Sequence, residues 1–330
     1  MSRLLDVTGV GNAIVDVLAK TEDAALASLG LTKGSMALID AARADSLYEL
    51  MGPAVEVSGG SVANSMAGIA SLGGTAGYIG KVKADQLGDV FAHDIRAAGV
   101  EFETSKAQGG PSTARCLVLV SPDGERTLNT YLGACVELGP EDIDEALIAR
   151  SKVIYLEGYL WDPPRAKEAM LKAANLAHKH GQRVALSLSD GFCVARHRAE
   201  FARLIEDHVD ILFANEGEIG ALTETSDFEQ AAAAVKDRCE VAVLTRGAKG
   251  AVVLTQGERY EVPADKVSQV VDTTGAGDLF AAGFLFGFTH GYSPADSARL
   301  GAVAAAEIIS HIGARPATSL RELIGARGLV

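Results

Sequence analysis

Short apolar runs alternate with longer amphipathic stretches through the last two thirds of the chain. The strand-like runs lie at residues 153–156, 184–188, 209–213 and 241–245. Stretches of helical composition separate them, at residues 164–180, 199–207 and 227–238. Continuous apolar strands joined by helices are typical of parallel strands that are covered on both faces. The pattern predicts an α/β fold with a doubly wound, mostly parallel sheet and helices on both faces.

The first 131 residues follow a different pattern. Short strands are predicted at residues 7–10, 14–19, 36–39 and 55–57, without long helices between the last three. Residues 113–120 and 126–131 flank Ser-Pro-Asp-Gly-Glu, and Pro-Asp-Gly favours a hairpin turn. We therefore expect one domain over residues 1–330, with a small β-sheet lid inserted at about 13–20, 35–40 and 112–131. Such a lid would exclude water from a reaction site.

Charge and composition exclude several classes of partner. Thirty Lys and Arg against 43 Asp and Glu give a formal net charge of −13, which disfavours broad contact with nucleic acid or anionic lipid. Charge or glycine interrupts every apolar stretch before 18 residues, so no membrane span is expected. Four scattered cysteines without ligand spacing, and an N-terminus without a signal peptide, indicate a cytoplasmic protein.

The strongest chemical motif is Asp-Thr-Thr-Gly-Ala-Gly-Asp at residues 272–278. A β-favouring run at 267–271 precedes it, and an apolar helix follows to about residue 289. At such a junction the amides of Gly275, Ala276 and Gly277 would bind an anion, assisted by the helix dipole. Asp278 would then act as a general base for phosphoryl transfer. The alternative is that Asp278 only stabilises the helix start.

Four motifs in order along the chain resemble those of the ribokinase (PfkB) family of carbohydrate and nucleoside kinases. They are residues 272–278, Gly-Gly-Ser-Val-Ala-Asn-Ser at 59–65, the segment 209–218 that ends in Asn-Glu-Gly-Glu, and Thr-Arg-Gly at 245–247. The resemblance implies a ribokinase-like fold and a kinase that uses ATP and Mg²⁺, and it leaves open a monovalent cation such as K⁺. No P-loop or complete dinucleotide fingerprint occurs in the chain.

The resemblance assigns acceptor-binding roles to residues of the N-terminal part. Asp16 would accept hydrogen bonds from two neighbouring hydroxyls, for which the two oxygens of a carboxylate are suited. Asn12 would lie near the ribose and base. Gly59 and Gly60 would let the sugar approach the backbone, and Asn64 would donate to and accept from hydroxyls. Without the resemblance, Asp16 would be interpreted as a turn or surface residue and Asn64 as a helix cap.

The resemblance also assigns a nucleotide side. Residues implied in ATP binding are Asn215, Thr245, Arg246, Gly247, Gly275 and Gly277. Asn215 and Glu218 would hold Mg²⁺ through water, and a carboxylate at a helix start fits this role and a purely structural one alike. Arg126 resembles a lid arginine that swings toward the transferring phosphoryl group; a hairpin surface charge is the alternative. Residues 313–316 correspond to a segment that lines the adenine pocket in the family.

Finer likenesses favour adenosine as the acceptor. The Gly-Gly-Ser-x-x-Asn-Ser form, residues 187–192 and residues 155–160 all resemble stretches of adenosine kinases. An apolar slot for the base would comprise Met36, Tyr159, Leu160 and Phe192. We expect transfer of the γ-phosphoryl group of ATP to the 5′-hydroxyl of adenosine, by a monomer or homodimer.

Two other interpretations stay open. Thr274 and Glu157 depart from the adenosine kinase pattern, so a sugar or ketoacid-sugar kinase of the same family is the alternative. A nucleotide-binding regulator that uses the fold as a sensor is the third interpretation. In each case we expect small molecules, a nucleoside or sugar and ATP, as the partners.

Overall fold

The computed structural model describes residues 4–329, which contain fourteen strands and thirteen α-helices. The strands are β1 (Leu5–Val10), β2 (Ile14–Lys20), β3 (Met36–Leu38), β4 (Ala54–Gly59), β5 (Ala76–Ile79), β6 (Val100–Phe102), β7 (Ala114–Val120), β8 (Arg126–Tyr131), β9 (Ser151–Glu157), β10 (Arg183–Ser187), β11 (Ile211–Asn215), β12 (Val241–Thr245), β13 (Ala251–Thr255) and β14 (Glu258–Val262).

One or two α-helices separate successive strands from β9 to β12. The α-helices are α1 (Asp23–Ser28), α2 (Ala41–Leu50), α3 (Ser61–Ser71), α4 (Gln86–Ala97), α5 (Glu145–Ala149), α6 (Pro164–Lys179), α7 (Gly191–Arg196), α8 (Arg198–His208), α9 (Glu216–Thr223), α10 (Phe228–Val235), α11 (Ala276–Thr289), α12 (Pro294–Ile308) and α13 (Leu320–Ala326). Short 3₁₀ helices occupy Gly133–Glu137, Pro140–Asp142, Gly158–Trp161 and Gly247–Lys249. None of the helices within residues 4–329 has the length and apolar character needed to cross a bilayer.

The larger sheet confirms the predicted doubly wound α/β fold. Its nine strands have the order β14-β13-β12-β11-β10-β9-β1-β5-β6, and all pairs from β12 to β6 are parallel. Strands β13 and β14 are added antiparallel at one edge. Successive residues of β9 enter opposite cores: Tyr155 packs on the side of α3 and α11, and Leu156 packs on the side of α6. Burial on both faces explains why these strands are apolar throughout.

A second sheet of five strands accompanies the first, as the strand pattern of the N-terminal part predicts. Its order is β3-β8-β7-β2-β4, and the hairpin β7–β8 has the predicted turn between its strands. We call these five strands the small sheet. Three segments were predicted for the small sheet, and the structure adds a fourth, β4. Residues 14–19 of β2 pair with residues 54–59 of β4.

Two sequence-based expectations about elements are wrong. Helix α2, of ten residues, lies between β3 and β4, where no long helix is predicted. It buries only Ala44 and Leu47, so its apolar pattern is weak. Residues 267–271 form no strand. The amide of Val271 instead donates to the carbonyl of Ile309 at the end of α12, so this extended segment pairs with a helix end.

Candidate active site

A cleft of about 220 Å³ opens where the parallel strands of the large sheet end. Strands β9 to β12 each bring residues to it at their carboxyl ends, which is the usual ligand-binding edge of an open α/β sheet. Residues that line it are Ser61, Tyr155, Ser187, Ser189, Phe213, Ala214, Asn215, Glu218, Thr245, Gly277 and Asp278. The cleft therefore joins all four motifs found in the sequence.

The glycine-rich turn at the start of α11 has the geometry of an anion site. Gly275 precedes the helix with a φ of 78°, a left-handed conformation that favours glycine. A Cβ on Gly277 would meet no atom from outside its own helix turn within 4 Å, so this backbone faces open space in the cleft. The first amides of a helix lack partners in the helix itself. The amide of Ala276 is nevertheless engaged, because it donates over 3.2 Å to the carbonyl of Thr273, which precedes the helix.

Asp278 is held at both carboxylate oxygens by α3. The hydroxyl of Ser61 donates to Oδ1 over 2.6 Å, and Nδ2 of Asn64 donates to Oδ2 over 3.0 Å. Burial raises the pKa of Asp278, against which these two hydrogen bonds and the charge of Arg315 act. The arrangement orients a carboxylate of increased basicity beside the glycine-rich turn.

Asp16 on β2 lies against the Gly59-Gly60 turn. A Cβ on Gly59 would be 2.4 Å from Oδ2 of Asp16, so only glycine permits this approach. Burial raises the pKa of Asp16 to about 6, with Arg315 and Arg126 opposing that rise and Asp278 adding to it. Asp278, predicted as the general base, thus lies near enough for its charge to raise the pKa of Asp16, which is predicted to bind the acceptor.

Glu157, at the end of β9, is a site residue that the sequence revealed only as a departure from a pattern. Its side chain is 1% exposed and accepts hydrogen bonds from the amide of Asn12 at 3.3 Å and from Nδ2 of Asn12 at 2.8 Å. The amide of Val62 donates to it as well, over 3.2 Å. Burial raises the pKa of Glu157 to about 7. The carboxylate joins the end of β9 to the segment after β1 and to α3, beneath the acceptor side of the site.

Asn215 and Glu218 form a reciprocal cap at the start of α9. The amide of Glu218 donates to Oδ1 of Asn215 over 2.9 Å, and both nitrogens of Asn215 donate to the carboxylate of Glu218. Burial, together with the negative charges of Asp190 and Asp278, raises the pKa of Glu218 to about 7. Glu218 therefore caps the start of α9, as the structural interpretation predicts, and it also lines the cleft.

The carboxylates of Asp190, Glu218 and Asp278 lie close enough to interact, and this local negative charge suits the cleft to Mg²⁺. No group of three or more His, Cys, Asp or Glu within residues 4–329 forms a closed metal site. A few carboxylates facing one cleft suit an ion that keeps most of its waters and binds nucleotide phosphates. Asn215 and Glu218 are thus suited to hold such an ion through water.

The predicted nucleotide turn follows β12. Thr245 lines the cleft, and Gly247 has a φ of 55° with open space around its Cα. The guanidinium of Arg246 lies 3.8 Å from the ring centroid of Phe228 and donates to Glu216 over 2.9 Å. Arg246 is thereby fixed beside α9 and not extended over the cleft centre.

Arg126 is buried, so the alternative that it is a hairpin surface charge is wrong. It is 8% exposed, and Nη2 lies 2.7 Å from Oδ2 of Asp272. The alignment is that of an ion pair and not of a hydrogen bond, and Nε and Nη2 have no hydrogen-bond acceptor within the described residues. Asp272 also accepts from the amides of Thr274 and Gly313, each over 3.0 Å. Arg126 joins the small sheet to the glycine-rich turn.

The four residues predicted for an apolar base slot do not enclose one. Phe192 is 79% exposed at the start of α7, and Met36 is 53% exposed on β3 at the edge of the small sheet. Tyr159 is half-buried. Leu160 is fully buried in the core around α6, so it is a packing residue.

Fold and cleft together are those of a phosphotransferase with a ribokinase-like α/β architecture. The sequence profile of the pfkB family of carbohydrate kinases matches residues 24–320. The chain therefore belongs to the PfkB family, whose members transfer phosphoryl groups to sugar or nucleoside hydroxyls.

Solved structures of two similar proteins cover this chain completely. A probable sugar kinase from Rhizobium etli is 53% identical with a TM-score of 0.93, and the alignment covers 100% of each chain. An adenosine kinase from Sinorhizobium meliloti is also 53% identical, with a TM-score of 0.91 and the same coverage. A 5-dehydro-2-deoxygluconokinase from Halalkalibacterium halodurans is 29% identical over 263 residues, which are 76% of this chain and 79% of that protein. The similar proteins thus include nucleoside and sugar kinases.

Proposed function

We propose that the protein transfers the γ-phosphoryl group of ATP to the 5′-hydroxyl of adenosine, giving AMP and ADP. The observation that carries the proposal is the contact between Asp278 and α3, because it brings together the proposed general base and the helix that follows the proposed acceptor-binding turn. The adenosine kinase from Sinorhizobium meliloti, 53% identical over the full chain, supports the choice of acceptor.

The acceptor side is assigned by hydrogen-bonding capacity. Asp16 accepts the two ribose hydroxyls, whose spacing suits two carboxylate oxygens. Oδ1 of Asn64 is buried and has no hydrogen-bond partner within residues 4–329, so it is free to accept from the substrate. Asn12, held by Glu157, borders the same side.

The phosphoryl step uses groups around the glycine-rich turn. Asp278 removes the proton of the 5′-hydroxyl as the oxygen attacks phosphorus. The amides at Gly275 and Gly277 stabilise the charge that develops on the phosphoryl oxygens. The buried guanidinium of Arg126, whose Nε has no hydrogen-bond acceptor within residues 4–329, adds positive charge on the side of the small sheet. Asn215 and Glu218 would hold the waters of a Mg²⁺ ion bound with ATP, and that ion would supply further charge neutralisation.

A sugar or ketoacid-sugar acceptor is the second candidate, and the floor of the acceptor side favours it. Glu157 and the hydroxyl of Tyr78 are both buried there, and that hydroxyl has no hydrogen-bond partner within the described residues. A polar floor and the exposed Phe192 suit a small polyol better than a flat purine. The 29% identical 5-dehydro-2-deoxygluconokinase agrees with this alternative.

An acceptor panel with labelled ATP and Mg²⁺ decides between these functions. Adenosine, ribose, fructose, 2-keto-3-deoxygluconate and 5-dehydro-2-deoxygluconate are compared at equal concentrations, with the Asp278→Asn variant as the blank. We expect adenosine to be phosphorylated with the highest kcat/KM. Preference for a sugar acid with adenosine inert supports the second candidate, and no turnover with any acceptor supports a regulator.

A further inference from the structure

Three consecutive residues after α12 touch both sides of the cleft. The amide of Gly313 donates to Oδ2 of Asp272 over 3.0 Å. Ala314 packs on Gly275 so closely that a Cβ on Gly275 would be 3.1 Å from the Cβ of Ala314. Both contacts involve the glycine-rich turn. Arg315, the next residue, reaches instead to the acceptor side, so the structure differs here from the expectation that residues 313–316 serve the adenine pocket.

The guanidinium of Arg315 fastens the backbone around the acceptor motif. Nε and Nη2 donate to the carbonyl of Ser58 over 2.9 and 2.8 Å, and Nη2 also donates to its hydroxyl over 2.9 Å. Nη1 donates to the carbonyl of Ala63 over 2.6 Å. Ser58 directly precedes Gly59, and Ala63 directly precedes Asn64. One planar side chain therefore bridges the turn and the first turn of α3.

Asp94 on α4 completes the anchoring of this turn. Its Oδ2 accepts from the amide of Ser58 over 2.7 Å and from the hydroxyl of Ser58 over 2.6 Å. The amide, hydroxyl and carbonyl of Ser58 are thus all engaged. Gly60, with a φ of 96°, completes a turn whose conformation is set from two directions.

Arg315 also supplies positive charge among carboxylates. The carboxylates of Asp16, Asp94 and Asp278 act on the guanidinium of Arg315, and its charge in turn favours the ionised forms of Asp16 and Asp278. The other charged groups that act on these carboxylates are few. Arg126 favours ionisation of Asp16, while the negative charges of Glu157 and Glu218 lie near Asp278.

We propose that Arg315 is a positioning residue of the kinase. It fastens the Gly59-Gly60 turn and the first turn of α3 to the segment that supports the glycine-rich turn, so that Asp16 and Asn64 stay aligned with Asp278. The inference rests on the proposed function, in which these residues bind the acceptor and remove its proton.

Hydrogen exchange tests the anchoring without any ligand. The variants are Arg315→Gln and Arg315→Lys, and the matched control is Arg299→Gln, because Arg299 on α12 is 63% exposed. In Arg315→Gln the amides of residues 58–64 are expected to exchange at least about tenfold faster, while those of β12 and β13 keep wild-type rates. Unchanged exchange at residues 58–64 overturns the proposal.

Binding and pH measurements test the consequence for the site. Calorimetry should show adenosine binding weakened at least about tenfold in Arg315→Gln, with ATP binding changed less than about threefold. The acidic limb of the kcat profile should move to higher pH in Arg315→Gln and stay near the wild-type position in Arg315→Lys. Equal losses for both ligands with an unmoved limb overturn the positioning role.

The two proposals fail in distinguishable ways. If wild-type protein neither binds nor phosphorylates adenosine, the proposed acceptor is wrong, and the exchange rates at residues 58–64 still decide the role of Arg315. If Arg315→Gln does not fold by circular dichroism, Arg315→Lys carries the test, since it keeps charge and loses the planar fork. Wild-type exchange in a folded Arg315→Lys then contradicts the anchoring.

Discussion

Asn64 donates a hydrogen bond from Nδ2 to Oδ2 of Asp278 over 3.0 Å, although the two residues are 214 positions apart in the chain. The contact joins the first turn of α3 to the first turn of α11. A change at either helix start therefore alters the groups that handle the acceptor and the group that removes its proton.

Asp278→Asn should abolish most turnover and spare binding. The amide keeps the size of the carboxylate and its place beside Ser61, but it takes up no proton. We expect kcat to fall about 10³-fold, within the range of a lost general base, while calorimetric adenosine affinity changes less than about threefold. Asp207→Asn, an exposed carboxylate on α8, is the control and should match wild type. Near-wild-type turnover would remove Asp278 from the mechanism.

Asp16→Ala should weaken acceptor binding much more than ATP binding. It removes both oxygens that accept ribose hydroxyls, and hydrogen bonds to a charged group contribute about 1.5–3 kcal/mol each. Adenosine affinity is therefore expected to fall by at least about tenfold, with the KM for ATP nearly unchanged. Asp16→Asn keeps one acceptor oxygen and should lie between. Equal losses for nucleoside and ATP would contradict the diol role.

Adenosine affinity should rise with pH through the titration of Asp16. Its pKa of about 6 in the ligand-free protein lies above the usual value, so the carboxyl is partly protonated at pH 5.5 and ionised by pH 7.5. Only the ionised form accepts two hydroxyl protons, so affinity increases toward the higher pH. Calorimetry across this range measures the effect, and Asp16→Asn should flatten the rise. A rise of the same size in Asp16→Asn would assign it to Glu157 or Glu218.

Gly277→Ala should separate stability from activity. The added methyl meets no atom from outside its own helix turn within 4 Å, and alanine favours a helix start over glycine, so the melting temperature should stay equal or increase slightly. The same methyl occupies the space in which phosphate would approach the amides, and kcat/KM should fall at least about tenfold. Gly109→Ala, also without nearby atoms, is the control. Full activity in Gly277→Ala would place the phosphate elsewhere.

Local signals in the sequence were sufficient for most elements. Strands β8 and β12 have their predicted bounds. Apolar runs and the turn residues that flank them specify such strands within a few residues of sequence. Local signals failed at helix α2, which was not predicted, and at residues 267–271, which were predicted as a strand. The first buries few side chains, and the second is held by a backbone contact to Ile309 that no local pattern records.

The sequence by itself determined the doubly wound sheet, the second small sheet and the chain positions of the four motifs. Only the tertiary structure decided that Arg126 pairs with Asp272, that Glu157 holds Asn12, and that Arg315 bonds to Ser58. Each of these pairs joins side chains from distant parts of the chain. Burial and charge in the folded protein determine these partners, so they could not be predicted from residue spacing along the chain.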